Sequence, residues 1–204
     1  MLEINKVHCW DCLELMKDIA DKSIDLILTD PPYGIGAKFK WWKTWKMNFN
    51  EVVEMWWDFI PSKEYFDEIF RVSKNQIIRW SNYFDMLPAY RWAIIWDKKI
   101  PETFSLSMAE IAFTSFDKRT MVFRQHNAEE AKNVHPTQKP LWLFRRILEN
   151  YSEKWMTILD PFLWSWTTAI ACKEMWRNWI GIEKEQKYVD IATKRLENTT
   201  ISLF

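Results

Sequence analysis

The chain is organised around one stretch, which reads Ile24-Asp25-Leu26-Ile27-Leu28-Thr29-Asp30-Pro31-Pro32-Tyr33. Its first six residues form an apolar run bounded by turn residues, a pattern typical of a buried strand. Asp30 and Tyr33 therefore follow the carboxyl end of a strand, the edge at which open α/β sheets bind ligands. The two prolines fix their own φ and restrict the residues before them. This predicts a rigidly held carboxylate and ring, suited to gripping a planar base by its amino group, although a plain strand-ending turn explains the tetrapeptide equally well.

Length and composition indicate one domain without disulfides or a membrane anchor. The 204 residues can bury a full core, and three cysteines are too few for a disulfide scaffold. Zero net charge argues against coating nucleic acid by bulk charge but permits a local basic patch. No apolar run reaches the roughly 18 residues of a membrane span, and no signal-peptide pattern is present, so we expect a cytoplasmic protein. Cys9 and Cys12 form a lone CxxC, and we expect no metal site.

Strands and helices alternate along most of the chain. Strands are predicted at 3–9, 23–30, 76–80, 92–96, 156–160 and 179–183, with helices between most of them. The pattern predicts a single α/β domain over 1–204, with a doubly wound, mostly parallel sheet covered on both faces. Residues 110–116 and 120–124 resemble a β-hairpin, which would add antiparallel strands at one edge. A short helix is predicted from residue 82 to about 89.

A second group of polar residues follows two later strands. Asp160 ends an apolar strand, a loop then opens a helix at Thr167, and Glu183 ends the next strand. A loop that opens a helix, with an acid about 20 residues further on to hold a ribose, is the nucleotide-site pattern of doubly wound folds. Two strand-end sites are thus predicted on one sheet.

Together these sites resemble the amino-methylating DNA methyltransferases that use S-adenosylmethionine, in the arrangement whose DPPY motif precedes the cofactor motif. The resemblance covers nearly the whole chain and implies a Rossmann-like methyltransferase fold. It rests on five pieces in order, which are Trp10-Asp11 (usually Gly-Asp), Asp30 to Tyr33, His135 to Pro140, Asp160 to Thr168, and Ile180 to Glu183. Each piece is weak alone, and their order and spacing make the set specific.

The resemblance implies a role for each matching residue. Asp30 and the Pro31 carbonyl would accept hydrogen bonds from the exocyclic amino group of the target base, and Tyr33 would stack on that base, so that the implied catalytic residues are Asp30, Pro31, Pro32 and Tyr33. Within the cofactor site, Glu183 would hold the ribose, and Asp11 would lie near the adenine. The implied cofactor-binding residues are Asp11, Thr137, Gln138, Lys139, Asp160, Pro161, Phe162, Trp164, Ser165, Trp166, Thr167, Thr168 and Glu183.

These residue types agree with methyl transfer to an amino group. An aromatic amine is a poor nucleophile because its lone pair is delocalised, and two acceptors aimed at its hydrogens favour a pyramidal, reactive nitrogen. No Pro-Cys motif is present, which argues against methylation of cytosine C5. The target base must leave the duplex to reach such a pocket. Within the family that the chain resembles, DPPY is more typical of adenine enzymes. The resemblance therefore implies an N6-adenine methyltransferase acting on double-stranded DNA, with N4-cytosine as the alternative.

Two segments, 37–60 and 98–133, are the expected DNA-contacting regions. The first interleaves Lys38, Lys40, Lys43 and Lys46 with aromatic side chains and no acid, which suits phosphate contact and base stacking. A solvated loop is the alternative for this segment. Whether the chain forms a homodimer, and whether it has a cognate restriction endonuclease, are left open by the sequence.

Glycine is scarce and tryptophan abundant. The chain has 3 Gly and 15 Trp, whereas usage of roughly 7% predicts about 14 glycines. The family pattern has glycine where this chain has Trp164 and Trp166, because the loop must turn sharply and approach the cofactor closely. Trp96 and Trp179 fit ordinary strand positions. Four more tryptophans stand at turns or strand ends where glycine is expected, namely Trp10, Trp80, Trp155 and Trp176.

Two explanations of this pattern are open. In the first, UGA codons that the source organism reads as glycine have been written as tryptophan. In the second, the tryptophans are real and the chain is a catalytically inactive DNA-binding protein whose cofactor loop is blocked by Trp164 and Trp166. Binding of S-adenosylmethionine separates an enzyme from the inactive alternative.

Overall fold

The computed structural model describes residues 2–34, 59–103, 107–126, 139–164, 166–197 and 199. Within these ranges the strands are β1 (Lys6–Cys9), β2 (Ile24–Thr29), β3 (Ser73–Arg79), β4 (Ala93–Asp97), β5 (Ala109–Thr114), β6 (Met121–Arg124), β7 (Thr157–Asp160) and β8 (Asn178–Glu183). The helices are α1 (Cys12–Lys17), α2 (Lys63–Val72), α3 (Leu141–Tyr151), α4 (Thr167–Glu174) and α5 (Gln186–Glu197).

The eight strands form one sheet in the order β1-β8-β7-β2-β3-β5-β4-β6. The first five strands in this order, β1-β8-β7-β2-β3, pair in parallel, and so do β4 and β6. Among the described strands, only β5 runs antiparallel to its two neighbours, β3 and β4. The prediction of a mostly parallel, doubly wound sheet is confirmed. None of the described helices has the length and apolarity needed to cross a membrane.

The predicted β-hairpin is wrong. β5 and β6 are consecutive in sequence, but β4 lies between them, and β6 pairs with β4 in parallel. The connection is fixed at the start of β4, where Trp92 Nε1 donates to Asp117 Oδ1 at 2.8 Å and the Ala93 amide donates to Thr120 Oγ1 at 3.2 Å. Strand signals are local, so they do not reveal that an earlier strand inserts between two neighbours.

The helix predicted over 82–89 is also wrong. The chain makes one 3-10 turn at Ser81–Tyr83 and then passes through turns. Pro88 explains part of the difference, because proline disfavours helical backbone at the residue before it.

Each face of the sheet buries its own apolar cluster. Alternation along β2 sends Leu26 and Leu28 to the cluster shared with α3, α4 and α5, and Ile27 to the cluster shared with α1 and α2. All three side chains are fully buried. This two-sided covering is what near-continuous apolar strands of a parallel sheet require.

The topology gathers many strand ends at one edge. The parallel strands bring the residues around Cys9, Glu183, Asp160, Asp30 and Arg79 to that edge. β4 runs in the same direction, and β5 runs in the opposite direction, so the end of β4 and the start of β5 join the same edge. Both polar groups predicted from the sequence therefore lie on this side of the sheet.

Candidate active site

Asp160 ties the end of β7 to its surroundings. One carboxylate oxygen accepts from Thr29 Oγ1 at 2.7 Å and from the Phe162 amide at 3.1 Å. The other accepts from Thr168 Oγ1 at 2.5 Å. Burial raises the pKa of Asp160 to about 6, although these three hydrogen bonds act to lower it. Because both oxygens are used internally, Asp160 orients the loop and the start of α4.

The loop after Asp160 lies directly against β8. The Leu163 amide donates to the Ile182 carbonyl at 3.0 Å, and Leu163 packs over Gly181, where any Cβ would collide with its side chain. Glycine at 181 therefore permits the close approach of the loop. The backbone is left-handed at Trp164, with φ 36°, and at Trp166, with φ 57°. The ring of Trp166 is buried in the core with α3, α4 and α5, contrary to the expectation that it blocks the cofactor.

Two carboxylates stand at the adjacent ends of β1 and β8. Burial raises the pKa of Glu183, opposed by backbone N–H groups that include the Glu185 amide at 2.9 Å. Asp11 caps α1 by accepting from the Leu13 amide at 2.9 Å, and its other oxygen lies 3.4 Å from Lys184 Nζ. Half-buried acceptors at a nucleotide-type strand edge fit the ribose and adenine of S-adenosylmethionine.

The two carboxylate oxygens of Asp30 have different surroundings. Pro31 and Pro32 behind it are buried. Oδ2 faces Arg79 Nη1 and Lys139 Nζ, each at 3.6 Å. Oδ1 is buried and has no hydrogen-bond partner among the described residues. A buried acceptor without a partner is costly, and it marks a place where a donor is expected to bind.

Behind Asp30 lies an ion network that the sequence did not suggest. Arg79 Nη2 donates to Glu110 Oε2, Lys98 Nζ lies 3.0 Å from Glu110 Oε1, and Lys139 Nζ lies 3.9 Å from that oxygen. Burial would raise the pKa of Glu110, but Lys139, Arg79 and Lys98 outweigh it and lower the pKa. One feature of the sequence could have indicated this network, namely that Arg79, Lys98 and Glu110 are charged residues at the ends of apolar strands.

An aromatic group occupies the space beside Tyr33. The centroid of the Trp80 ring lies 4.8 Å from that of the Tyr33 ring, and the centroid of the Tyr83 ring lies 5.3 Å from that of the Tyr33 ring. Lys98 Nζ and Lys139 Nζ stand 5.1 and 4.9 Å from the Trp80 ring. Trp80 is 7% exposed and has φ 54°. The indole therefore fills the position in which a base stacked on Tyr33 is expected.

Several predicted site residues lie outside the described ranges. They are Lys38, Lys40, Lys43, Lys46, Thr137, Gln138 and Ser165. Parts of both expected DNA-contacting segments lie outside as well. Across the part of the chain that is described, no group of three His, Cys, Asp or Glu side chains could hold a metal ion.

The chain is similar to known DNA methyltransferases. A family model described as DNA methylase (N6_N4_Mtase) matches residues 95–194. The type II methyltransferase M.HinfI of Haemophilus influenzae is 29% identical, over 95% of this chain and 68% of that protein. The structure of the M1.HpyAVI–SAM complex superposes with a TM-score of 0.65 at 23% identity, covering 93% of this chain and 98% of the other.

A further solved structure has the same fold at lower identity. The PvuII DNA methyltransferase, described as cytosine-N4-specific, gives a TM-score of 0.65 at 15% identity and covers 96% of this chain and 87% of its own. The strand order, the two polar sites at one sheet edge and the family match agree with one another. The family match and these relatives support an amino DNA methyltransferase of the N6/N4 type that uses S-adenosylmethionine as its methyl donor.

Proposed function

We propose that the chain methylates N6 of adenine in a base flipped out of double-stranded DNA. The observation that carries the proposal is the free Oδ1 of Asp30, a buried acceptor without a partner in the described chain. It lies beside Tyr33, at the same sheet edge as Glu183 and the loop after Asp160. An amino hydrogen is the donor that such an acceptor would take.

The chain's own residues supply orientation and charge. Asp30 Oδ1 and the Pro31 carbonyl would accept the two amino hydrogens, which directs the nitrogen lone pair away from the ring plane. Tyr33 would hold the base by stacking. Bound S-adenosylmethionine supplies an electrophilic methyl group on a sulfonium sulfur. As the N–C bond forms, the C–S bond would break and its electron pair would return to sulfur. Because the amino nitrogen gains positive charge in this step, the Asp30 carboxylate would stabilise it more strongly in the transition state, and the nitrogen would then lose one proton to Asp30 or to water.

The DNA-contacting role of residues 37–60 is supported by where the segment starts and ends. Gly34 lies against Ile60, so the two ends of the intervening segment meet next to Tyr33. Lys38, Lys40, Lys43 and Lys46 would then contact phosphates beside the pocket. For residues 98–133, support comes from Lys98, which belongs to the ion network at the same edge.

N4 of cytosine is the second candidate. The PvuII enzyme shares this fold and is described as cytosine-N4-specific, and both chemistries need the same acceptors on an exocyclic amine. The type II names of the relatives also lead us to propose a restriction-modification role, with a cognate endonuclease as partner. The inactive DNA-binding protein remains the alternative of another class.

Methyl transfer from labelled S-adenosylmethionine to unmethylated DNA, followed by digestion to nucleosides, tests the proposal. The protein would be made as printed and with glycine at 10, 80, 155, 164, 166 and 176. Label in N6-methyladenine is the expected result, and label in N4-methylcytosine would correct only the base. If the variant with the six glycines folds but transfers no methyl group, the proposal that the chain is an enzyme is overturned and the inactive DNA-binding protein is favoured.

A further inference from the structure

Half of the described tryptophans have a backbone that disfavours them. Of the ten in the described ranges, five lie in the left-handed region, namely Trp80 (φ 54°), Trp155 (69°), Trp164 (36°), Trp166 (57°) and Trp176 (63°). Such a φ is uncommon for any residue with a Cβ and is an outlier for a bulky one. All five were singled out from the sequence as glycine-type positions. Trp10, the sixth, is not among the left-handed residues.

Hydrogen bonding gives a second observation for two of these five tryptophans. The buried indole N–H groups of Trp80 and Trp166 have no partner among the described residues. By contrast, Trp92 Nε1 donates to Asp117 at 2.8 Å, and Trp96 Nε1 donates to the Gln125 carbonyl at 2.9 Å. Neither of these two has a left-handed backbone. Native proteins rarely leave buried donors unpaired, so Trp80 and Trp166 violate two rules at once.

We infer that the polypeptide made in the source cell carries glycine at 80, 155, 164, 166 and 176, encoded by UGA. Glycine adopts φ above zero readily, and it has no side-chain donor to satisfy. With glycine at 164 and 166 the loop after Asp160 can approach a ligand with its backbone. With glycine at 80 the space beside Tyr33 is open for a base. The backbone observations do not depend on the proposed activity.

The gene and the native protein test this inference directly. UGA codons are expected at the five positions, with UGG at Trp92, Trp96 and Trp179. Peptide mass spectrometry of protein from the source cell should show glycine masses at all five. UGG codons there, or peptides with intact tryptophan masses, would overturn the inference whatever the protein's activity.

A second inference, which rests on the proposed function, concerns Glu110. The network contains three cations and two carboxylates, and all five side chains are at most 20% exposed. Arg79 and Lys98 lie closer to Glu110 than to Asp30, whereas Lys139 lies between the two carboxylates, 3.6 Å from Asp30 and 3.9 Å from Glu110. Lys98 is 3.0 Å from Glu110, whereas Arg79 and Lys139 approach Asp30 only to 3.6 Å. Charge-assisted hydrogen bonds are shorter than that, at about 2.7–2.9 Å.

We propose that Glu110 is a positioning residue that keeps Asp30 Oδ1 free for the target base. Glu110 competes with Asp30 for Arg79 and Lys139. Without its charge, these cations would face Asp30 as the remaining carboxylate of the network. One of them would then bind the oxygen that the amino group of the base needs.

Glu110→Gln tests the positioning role, because glutamine keeps the shape and removes the charge. The glycine version of the enzyme is the background, and Asp97→Asn is the control, since Asp97 pairs with the exposed Arg124 at 3.4 Å. We expect kcat to fall about 100-fold in Glu110→Gln with S-adenosylmethionine affinity unchanged. Adding Lys98→Met should restore part of kcat, because it removes one of the surplus cations.

A crystal structure of Glu110→Gln keeps this test independent of activity. Arg79 or Lys139 should lie within hydrogen-bond distance of Asp30 Oδ1 in the variant. Unchanged cation positions, or a kcat equal to that of the parent, would overturn the role of Glu110. An inactive parent enzyme would count against the proposed function, and the variant's structure would still decide the role of Glu110.

Discussion

At the scale of single residues, two aspartates at neighbouring strand ends have different surroundings. Asp160 has both oxygens occupied by Thr29, Thr168 and the Phe162 amide. Asp30 has one oxygen facing cations and one without a partner in the described chain. Asp160 therefore holds the loop, and under the proposed function Asp30 is the group available to the target base.

Asp30→Asn should reduce methyl transfer strongly. Asparagine has nearly the same shape, but it has no negative charge to stabilise the amino nitrogen as it becomes positive. We expect kcat to fall by about 10²–10³, the usual cost of one electrostatic contact to a transition state. Single-turnover kinetics on the glycine version would measure it, with calorimetric binding of S-adenosylmethionine as the control. Activity within twofold of the parent would contradict the assignment.

Asp160 should make stability depend on pH. Its pKa rises from the ordinary 3.8 to about 6 on folding, so the folded state binds more protons than the unfolded state between these values. The contribution of Asp160 to the free energy of unfolding is therefore highest below about pH 4. It falls by about 3 kcal/mol in total as the pH rises through about 6. Urea unfolding across this range, compared with Asp160→Asn, measures it. Parallel curves for the two proteins would contradict the shift.

Glycine at 155 and 176 should stabilise the chain. Both positions are left-handed, both tryptophans are exposed, and the Trp155 amide donates to the Trp176 carbonyl at 2.8 Å, so the backbone bond survives substitution. Each change relieves about 1–2 kcal/mol of backbone strain. Loss of the contact between the two rings offsets about 0.5–1.5 kcal/mol of this gain. Thermal unfolding of the double variant should show a higher Tm. Trp179→Gly, in strand β8, should lower the Tm.

At the scale of elements, the sequence predicted the parts better than their pairing. The apolar run at 24–29 was sufficient for β2, and strand-terminal acids were sufficient to place Asp30 and Glu183 at one edge. The insertion of β4 between β5 and β6 depends on contacts between distant segments, which no local pattern records. For the same reason the sequence did not suggest the pairing of Arg79 with Glu110, which lie on adjacent strands but 31 residues apart.

Arg177 joins the ends of two helices, and its loss should destabilise the fold. Its guanidinium donates to the carbonyls of Leu148, Ser152 and Met175 at 3.2, 2.7 and 2.5 Å. Carbonyls at helix ends have no partner within the helix, and hydrogen bonds to charged groups are worth about 1.5–3 kcal/mol.

We expect Arg177→Met to lower the free energy of unfolding by about 2 kcal/mol, as measured by urea titration. Arg146→Met is the matched control, because Arg146 forms an exposed pair with Glu149 within α3. An exposed pair of this kind is worth at most about 0.5 kcal/mol. Equal effects of the two substitutions would show that Arg177 does not support the helix ends.

At the scale of the whole molecule, one sheet edge carries both of the sites that the proposed function needs, one for the methyl donor and one for the base. Parallel strands deliver Glu183, Asp160 and Asp30 to that edge, and the single reversed strand β5 adds Glu110. In the proposed reaction, the methyl group therefore moves only between neighbouring strand ends. This economy explains why short segments far apart in sequence were enough to indicate the family.

Under the proposed function, the contact between Gly34 and Ile60 has a consequence for how the DNA sequence preference could change. A segment whose two ends lie next to each other can be replaced by one of different length, because the positions of the flanking residues stay the same. Closing a longer loop costs only about 0.6 kcal/mol for each doubling of its length. If residues 37–60 contact DNA as proposed, a new sequence preference can be introduced there without changing the strand ends that carry Asp30 and Asp160.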